Sequence, residues 1–116
     1  MAMSQRAIIA LFFLAGCTKG PDADLQYIKQ ARTLAAEWAM INEQSNRGSL
    51  TDTYFRSMHY WLLDGLRKAH SSLAQPHSAY GDELQSILAE PPDAAPTRLR
   101  AHAEALKQIE QKIESA

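Results

Sequence analysis

The sequence predicts an all-α chain, a small antiparallel helical bundle of three long helices plus one short helix. Three observations carry that prediction. Apolar residues recur at steps of three and four through each long segment, the spacing that lines one face of a helix. The segments are separated by turn and breaker residues, at Asn46-Arg47-Gly48, at Pro76 and at Pro91-Pro92. No run alternates apolar and polar residues as a half-buried strand does. With 116 residues, the chain has room for one domain of the usual ~100–200 residues.

The first helix is expected from a cap at Asp22 or Asp24 to about Ser45, with Tyr27, Ala31, Leu34, Trp38 and Ile41 as its apolar stripe. Gly48 suits the left-handed position that closes a helix. Ser49 or Thr51 caps the second helix, and Asp52 complements the positive end of its dipole. That helix carries Phe55, Met58, Leu62, Leu66, Ala69 and Leu73 on one stripe before Pro76 stops it. Trp61 and Leu63 widen the stripe at both edges, which predicts a second helix touched from two sides and central in the bundle. Gly65, inside that arc, reads either as a point where Ala31 or Ala35 approaches closely or as a tolerated glycine costing ~1 kcal/mol.

A short helix near residues 79–89 presents Tyr80, Leu84, Ile87 and Leu88, and Glu90-Pro91-Pro92-Asp93 breaks it. The last helix, about 94–115, admits Pro96 only in its first turn. It carries Leu99, His102, Leu106, Ile109 and Ile113 at helical spacing. Arg100 and Glu104 are expected to pair on its solvent side.

Charge is nearly balanced, 12 Lys+Arg against 13 Asp+Glu, so there is no basic patch for nucleic acid. Hydrophobic residues make up 46%, too many for a disordered chain. The single cysteine excludes an internal disulfide framework and a Cys-based zinc site. His59, His70, His77 and His102 form neither HxxxH nor HExxH. His59 and His70 share a helix face but lie ~16 Å apart, too far to hold one metal together. His102, on an apolar stripe, reads as a partly buried histidine or as part of a site completed by other helices. No nucleophile elbow, phosphate loop or dinucleotide fingerprint occurs. The carboxylates read as scattered over exposed faces. The expectation is no enzyme, no metal and no cofactor.

The N-terminus carries the sharpest signal. Arg6 in a short head precedes an apolar run from Ala7 to Leu14, then Ala15, Gly16 and Cys17. A basic head, a short apolar stretch and a small-residue site make a secretory signal. Eight helical residues cover about 12 Å, far short of the ~30 Å hydrocarbon core. Leu14-Ala15-Gly16-Cys17 resembles the lipobox of bacterial lipoprotein precursors at all four positions. The resemblance implies removal of residues 1–16 by cleavage between Gly16 and Cys17. It also implies a diacylglycerol thioether on Cys17 and acylation of the new amino terminus, palmitate being a typical chain. Two or more acyl chains hold a protein firmly, at ~0.8 kcal/mol per buried CH₂. Thr18 and Lys19, in place of an Asp after the cysteine, imply the outer membrane, facing the periplasm. Residues 17–22 then form the lipidated cysteine and a short tether, and residues 23–116 the bundle. The five residues after Cys17 extend at most about 17 Å, so the bundle sits close to the headgroups.

Tyr54, Phe55, Tyr60 and Trp61 crowd the start of the second helix. By helical position Tyr60 points away from the stripe, Trp61 lies at its rim, and Met40 points outward from the first helix. These three residues are scattered surface apolars, a membrane-headgroup contact or a candidate partner surface, Tyr, Trp and Met being common interface anchors. The function expected is a non-enzymatic, membrane-anchored periplasmic lipoprotein that binds or helps assemble another envelope protein. The rival is a small-ligand binder with a pocket lined by Met58, Trp61 and Gly65. The anchor has a direct check. Cys17→Ala is expected to abolish incorporation of labelled fatty acid and to leave the uncleaved precursor in the inner membrane; label on that variant contradicts the lipoprotein reading.

Overall fold

The computed structural model describes residues 21–116. The expected signal segment, the expected lipobox with Gly16 and Cys17, and residues 18–20 lie outside the described residues. Among the described residues the regular elements are four helices: α1 (Pro21–Asn46), α2 (Asp52–Ser71), α3 (Ala79–Leu88) and α4 (Pro96–Glu114).

Local chemistry sets their ends. α1 is helical from Pro21, the first described residue. Pro21 and Asp22, expected in the tether, therefore belong to the helix. Gly48 takes φ 74°, and the N–H groups of Gly48 and Ser49 return to the carbonyls of Ser45 and Gln44 at 2.9 and 3.0 Å, closing α1 as a left-handed glycine should. Thr51 caps α2, its hydroxyl accepting from the Tyr54 N–H at 3.1 Å. Ser78 does the same for α3 through the Gly81 N–H at 3.2 Å. Pro96 starts α4 without a side-chain cap.

The central helix is α1, not α2 as the width of its stripe suggests. α1 packs against all three others, whereas α2 and α4 each touch α1 and α3 and do not meet. The physical reason lies in the small residues of α1. Ala31, Ala35 and Ala39 are fully buried between Ile28, Leu34 and Trp38, so neighbours close in on both flanks. Tyr27 and Ile41, expected on the stripe, sit at its margin. The indole of Trp61 at the edge of α2 stays 54% exposed, so the widened stripe is not covered. Gly65 is a point of close approach, but the side chain that fills the space belongs to Leu34 rather than to an alanine. A Cβ at Gly65 would stand 2.8 Å from Leu34 Cδ1.

Two buried polar side chains of α1 hold the connections. Asp24 is no cap. It is 1% exposed, and its carboxylate accepts from the backbone N–H of Ala74 at 2.7 Å, the N–H of Gln75 at 3.0 Å and the Tyr80 hydroxyl at 2.7 Å. Burial and the bond to Asp24 push the Tyr80 hydroxyl up to about 12. Toward the other end, Asn42 Nδ2 donates to the carbonyls of Pro92 and Ala94 at 3.0 and 2.8 Å. Trp38 Nε1 donates to the same Pro92 carbonyl at 3.1 Å. α4 is further tied to α1 by Lys29–Glu114, Arg32–Glu110 and Arg100–Glu43, at 2.9, 2.8 and 2.9 Å. Arg100 thus crosses to α1 instead of pairing with Glu104, which accepts from Gln108 within α4 at 2.9 Å. Lys29–Glu114 and Arg100–Glu43 are exposed pairs, which contribute only ~0–1 kcal/mol each and fix alignment more than stability, whereas Arg32–Glu110 is part-buried, with Glu110 8% exposed.

Candidate functional site

Three places gather polar or reactive side chains. The first joins α3, α4 and the loop between them. Glu83 of α3 places Oε2 2.5 Å from His102 Nδ1, and Glu90 of the loop places Oε2 2.7 Å from His102 Nε2. Arg98 Nη2 stands 2.9 Å from Glu90 Oε1 and donates to Oε2 at 3.1 Å. A neutral imidazole donates from one nitrogen only, whereas an imidazolium donates from both. A carboxylate on each nitrogen therefore selects the charged form. Burial works against that charge, but the hydrogen bonds and negative charges of Glu83 and Glu90 outweigh it and raise the His102 pKa above 6.5. For Glu90, burial alone would raise the pKa; the bonds and charges of His102 and Arg98 reverse the sign and hold it below the usual carboxylate range.

These carboxylates converge, contrary to the expectation that acids scatter over exposed faces. They lie on opposite sides of the ring, so they do not share a point with the imidazole where a cation would sit. Among the described residues no group of three or more His, Cys, Asp or Glu side chains is placed to hold a metal ion. With both nitrogens of His102 engaged, the cluster is a strap between α3 and α4. Glu90 lies past the end of α3, so no helical spacing in the sequence gave its meeting with Glu83 at His102.

The second place surrounds His59. Its ring lies edge-on to Trp38, centroids 5.2 Å apart, and stacks on Phe55 at 6.3 Å and 8°. His59 Nε2 is buried and unpartnered among the described residues. Burial, with the nearby charge of Arg67, lowers its pKa, so it serves as a neutral aromatic plate between the two helices.

The third place is the outer surface of α1 and α2. Met40, Tyr54, Tyr60 and Trp61 are 55, 48, 72 and 54% exposed. Three of the four fall within the first ten residues of α2, with Phe55 and Met58 half-buried beside them. Next to Trp61 an open groove of about 590 Å³ runs between α1 and α2, lined by Leu34, Glu37, Trp61, Asp64, Gly65 and Lys68 among others. Of the residues read from sequence as a ligand pocket, Trp61 and Gly65 line this groove and Met58 does not. Met40 and Tyr60 also lie outside its lining.

No described helix is long and apolar enough to cross a membrane. Comparison of the chain with protein-family models, curated proteins and solved structures gives no match.

The His102 strap carries a pH signature. A histidine whose folded-state pKa is raised adds stability that is full below its unfolded-state value and is lost as pH rises through the folded value. Thermal melts of the wild type and His102→Gln between about pH 5.5 and 9 check this against the ordinary histidine value of about 6.5. The wild-type advantage in Tm is expected to be largest below 6.5 and to shrink above it; a constant difference contradicts the imidazolium strap.

Proposed function

We propose that the chain is a bacterial lipoprotein whose bundle docks another envelope protein at the membrane surface. Residues 1–16 direct export and are removed, and Cys17 carries the lipid. The bundle stands on a short tether at the periplasmic face of the outer membrane, and no cofactor beyond that covalent lipid takes part. The role is binding or assembly rather than catalysis. In support, both nitrogens of His102 are engaged by carboxylates and His59 Nε2, although unpartnered among the described residues, is buried, so neither offers an accessible general base.

In this reading the bundle is antiparallel, with three long helices and one short. Supporting pairings run in opposite senses. Lys29 near the start of α1 meets Glu114 at the end of α4, and Arg100 near the start of α4 meets Glu43 near the end of α1. Asp24 reaches residues 74 and 75 just beyond α2, while Trp38 meets His59 in its first half.

The observation that carries the docking role is the gathering of exposed aromatic side chains on the first half of α2, with Tyr60 the most open at 72%. Surface apolars scattered singly need no explanation, but clustered ones mark interaction sites. A small-ligand role has weaker support, since Met58 lies apart from the groove that holds Trp61 and Gly65.

Tyr60→Ser is the test. It is expected to weaken docking by ~1–3 kcal/mol, the range of a moderate interface hot spot, and to change folding stability by less than about 0.5 kcal/mol. Crosslinking yield in the intact envelope and thermal melts of the two proteins measure both quantities. Lost crosslinking with an unchanged melt supports docking through Tyr60. Equal crosslinking makes Tyr60 a bystander, and a large fall in Tm places it in the core.

A further inference from the structure

The α1–α2 groove is uneven in charge. Its two lysines are already compensated: Lys68 lies 2.9 Å from Asp64 and Lys29 lies 2.9 Å from Glu114. Glu37, half-buried on the same wall, makes no ion pair or side-chain hydrogen bond among the described residues. It is the one charge in the groove left without a described counterion. Across from it stands Trp61. Leu34 faces Gly65 and Trp38 meets His59, so one turn beyond Leu34 on α1 falls level with one turn before Gly65 on α2. Those positions are Glu37 and Trp61. Leu34 and Gly65, packed against each other, line the groove beside them.

We propose that this end of the groove receives a cationic side chain of the docked protein, an arginine, with its guanidinium lying on the Trp61 indole and pairing with Glu37. The inference rests on the docking reading and names the chemistry of the partner. Indole is the strongest aromatic partner for a cation. Guanidinium is planar, weakly hydrated and able to stack and to fork onto a carboxylate at once. An anion finds its two lysines neutralised. A purely apolar side chain would bury Glu37 without a counterion, which is costly.

The experiment uses the full-length lipidated protein, ¹⁵N-labelled in micelles of a non-ionic detergent. The two tryptophans give separate reporters. The Trp38 indole is buried and bonded to the Pro92 carbonyl, and the Trp61 indole is exposed. The probes are N-acetyl-arginine methylamide and its uncharged isostere N-acetyl-citrulline methylamide, at matched ionic strength. The arginine probe is expected to shift the Trp61 indole N–H resonance saturably while the Trp38 resonance stays in place. Citrulline produces no saturable shift, and Glu37→Gln weakens the arginine titration about fivefold, in keeping with the upper range of a partly exposed ion pair. An unmoved Trp38 resonance in Glu37→Gln shows that the variant is folded. No saturation, equal response to both probes, or a titration unchanged by Glu37→Gln overturns the proposal. The sample contains no partner protein, so such a failure removes the arginine specificity alone, and the envelope crosslink at Tyr60 still decides docking separately.

Discussion

Asp24 and Asn42 are the two polar side chains on which the arrangement depends. They lie on α1, 1% and 2% exposed, about 27 Å apart along the helix axis. Each turns inward to hold a piece of irregular backbone. Asp24 takes the N–H groups just after α2, and Asn42 takes the carbonyls just before α4. Backbone groups removed from water must find partners, and a connection packed against a core has no ladder to supply them. The two side chains supply them at the two ends of the segment that carries α3. They thereby fix where α3 lies along α1, and with it the ring in which α1 touches α2, α2 touches α3, α3 touches α4, and α4 returns to α1.

The placement of the outer surface follows. Because α1 is covered by three neighbours, its alanines and Trp38 are shut away. The aromatic side chains that α1 and α3 leave uncovered are those of the first half of α2. Tyr60 and Trp61 gain their exposure on a helix anchored underneath by Leu62, Leu66 and Ala69, all buried. Side chains on such a rigid element lose little further freedom when a partner covers them, which favours binding. The His102 strap acts on the opposite side of the ring, tying α3 to α4 through an imidazolium, and leaves that face of α2 unencumbered.

What was legible in the sequence was local. Gly48, Thr51 and Pro96 announce helix ends through chemistry that involves only their near neighbours. The helical wheel put Tyr60 and Met40 outward and Trp61 at a rim because exposure depends on the direction of one side chain. The rank of the helices was not legible. A wheel gives the width of an apolar arc but not how closely a neighbour can approach, and the alanines of α1 decided that. Asp24 looked like a cap, since an Asp near a helix start usually is one; its carboxylate turns instead toward residues 74, 75 and 80. Arg100 had an acid four residues away and chose Glu43 on another helix. His102 with its two glutamates, and Glu37 opposite Trp61, exist only once separate helices come together. The proposed lipobox stands apart from all of this, since such a motif would be read by processing enzymes from residues 14–17 and would owe nothing to the bundle.

Equilibrium unfolding in urea of Asp24→Asn and Asn42→Leu, each with the same number of side-chain heavy atoms as the residue replaced, tests the dependence on these two side chains most directly. Asp24→Asn offers an amide where donors already converge, and Asn42→Leu leaves the Ala94 carbonyl without its donor. Each is expected to lower the unfolding free energy by about 1–3 kcal/mol, the cost of leaving buried polar groups unpaired. If both variants unfold within about 0.5 kcal/mol of the wild type, as substitutions at unimportant surface positions do, then Asp24 and Asn42 do not hold the bundle together.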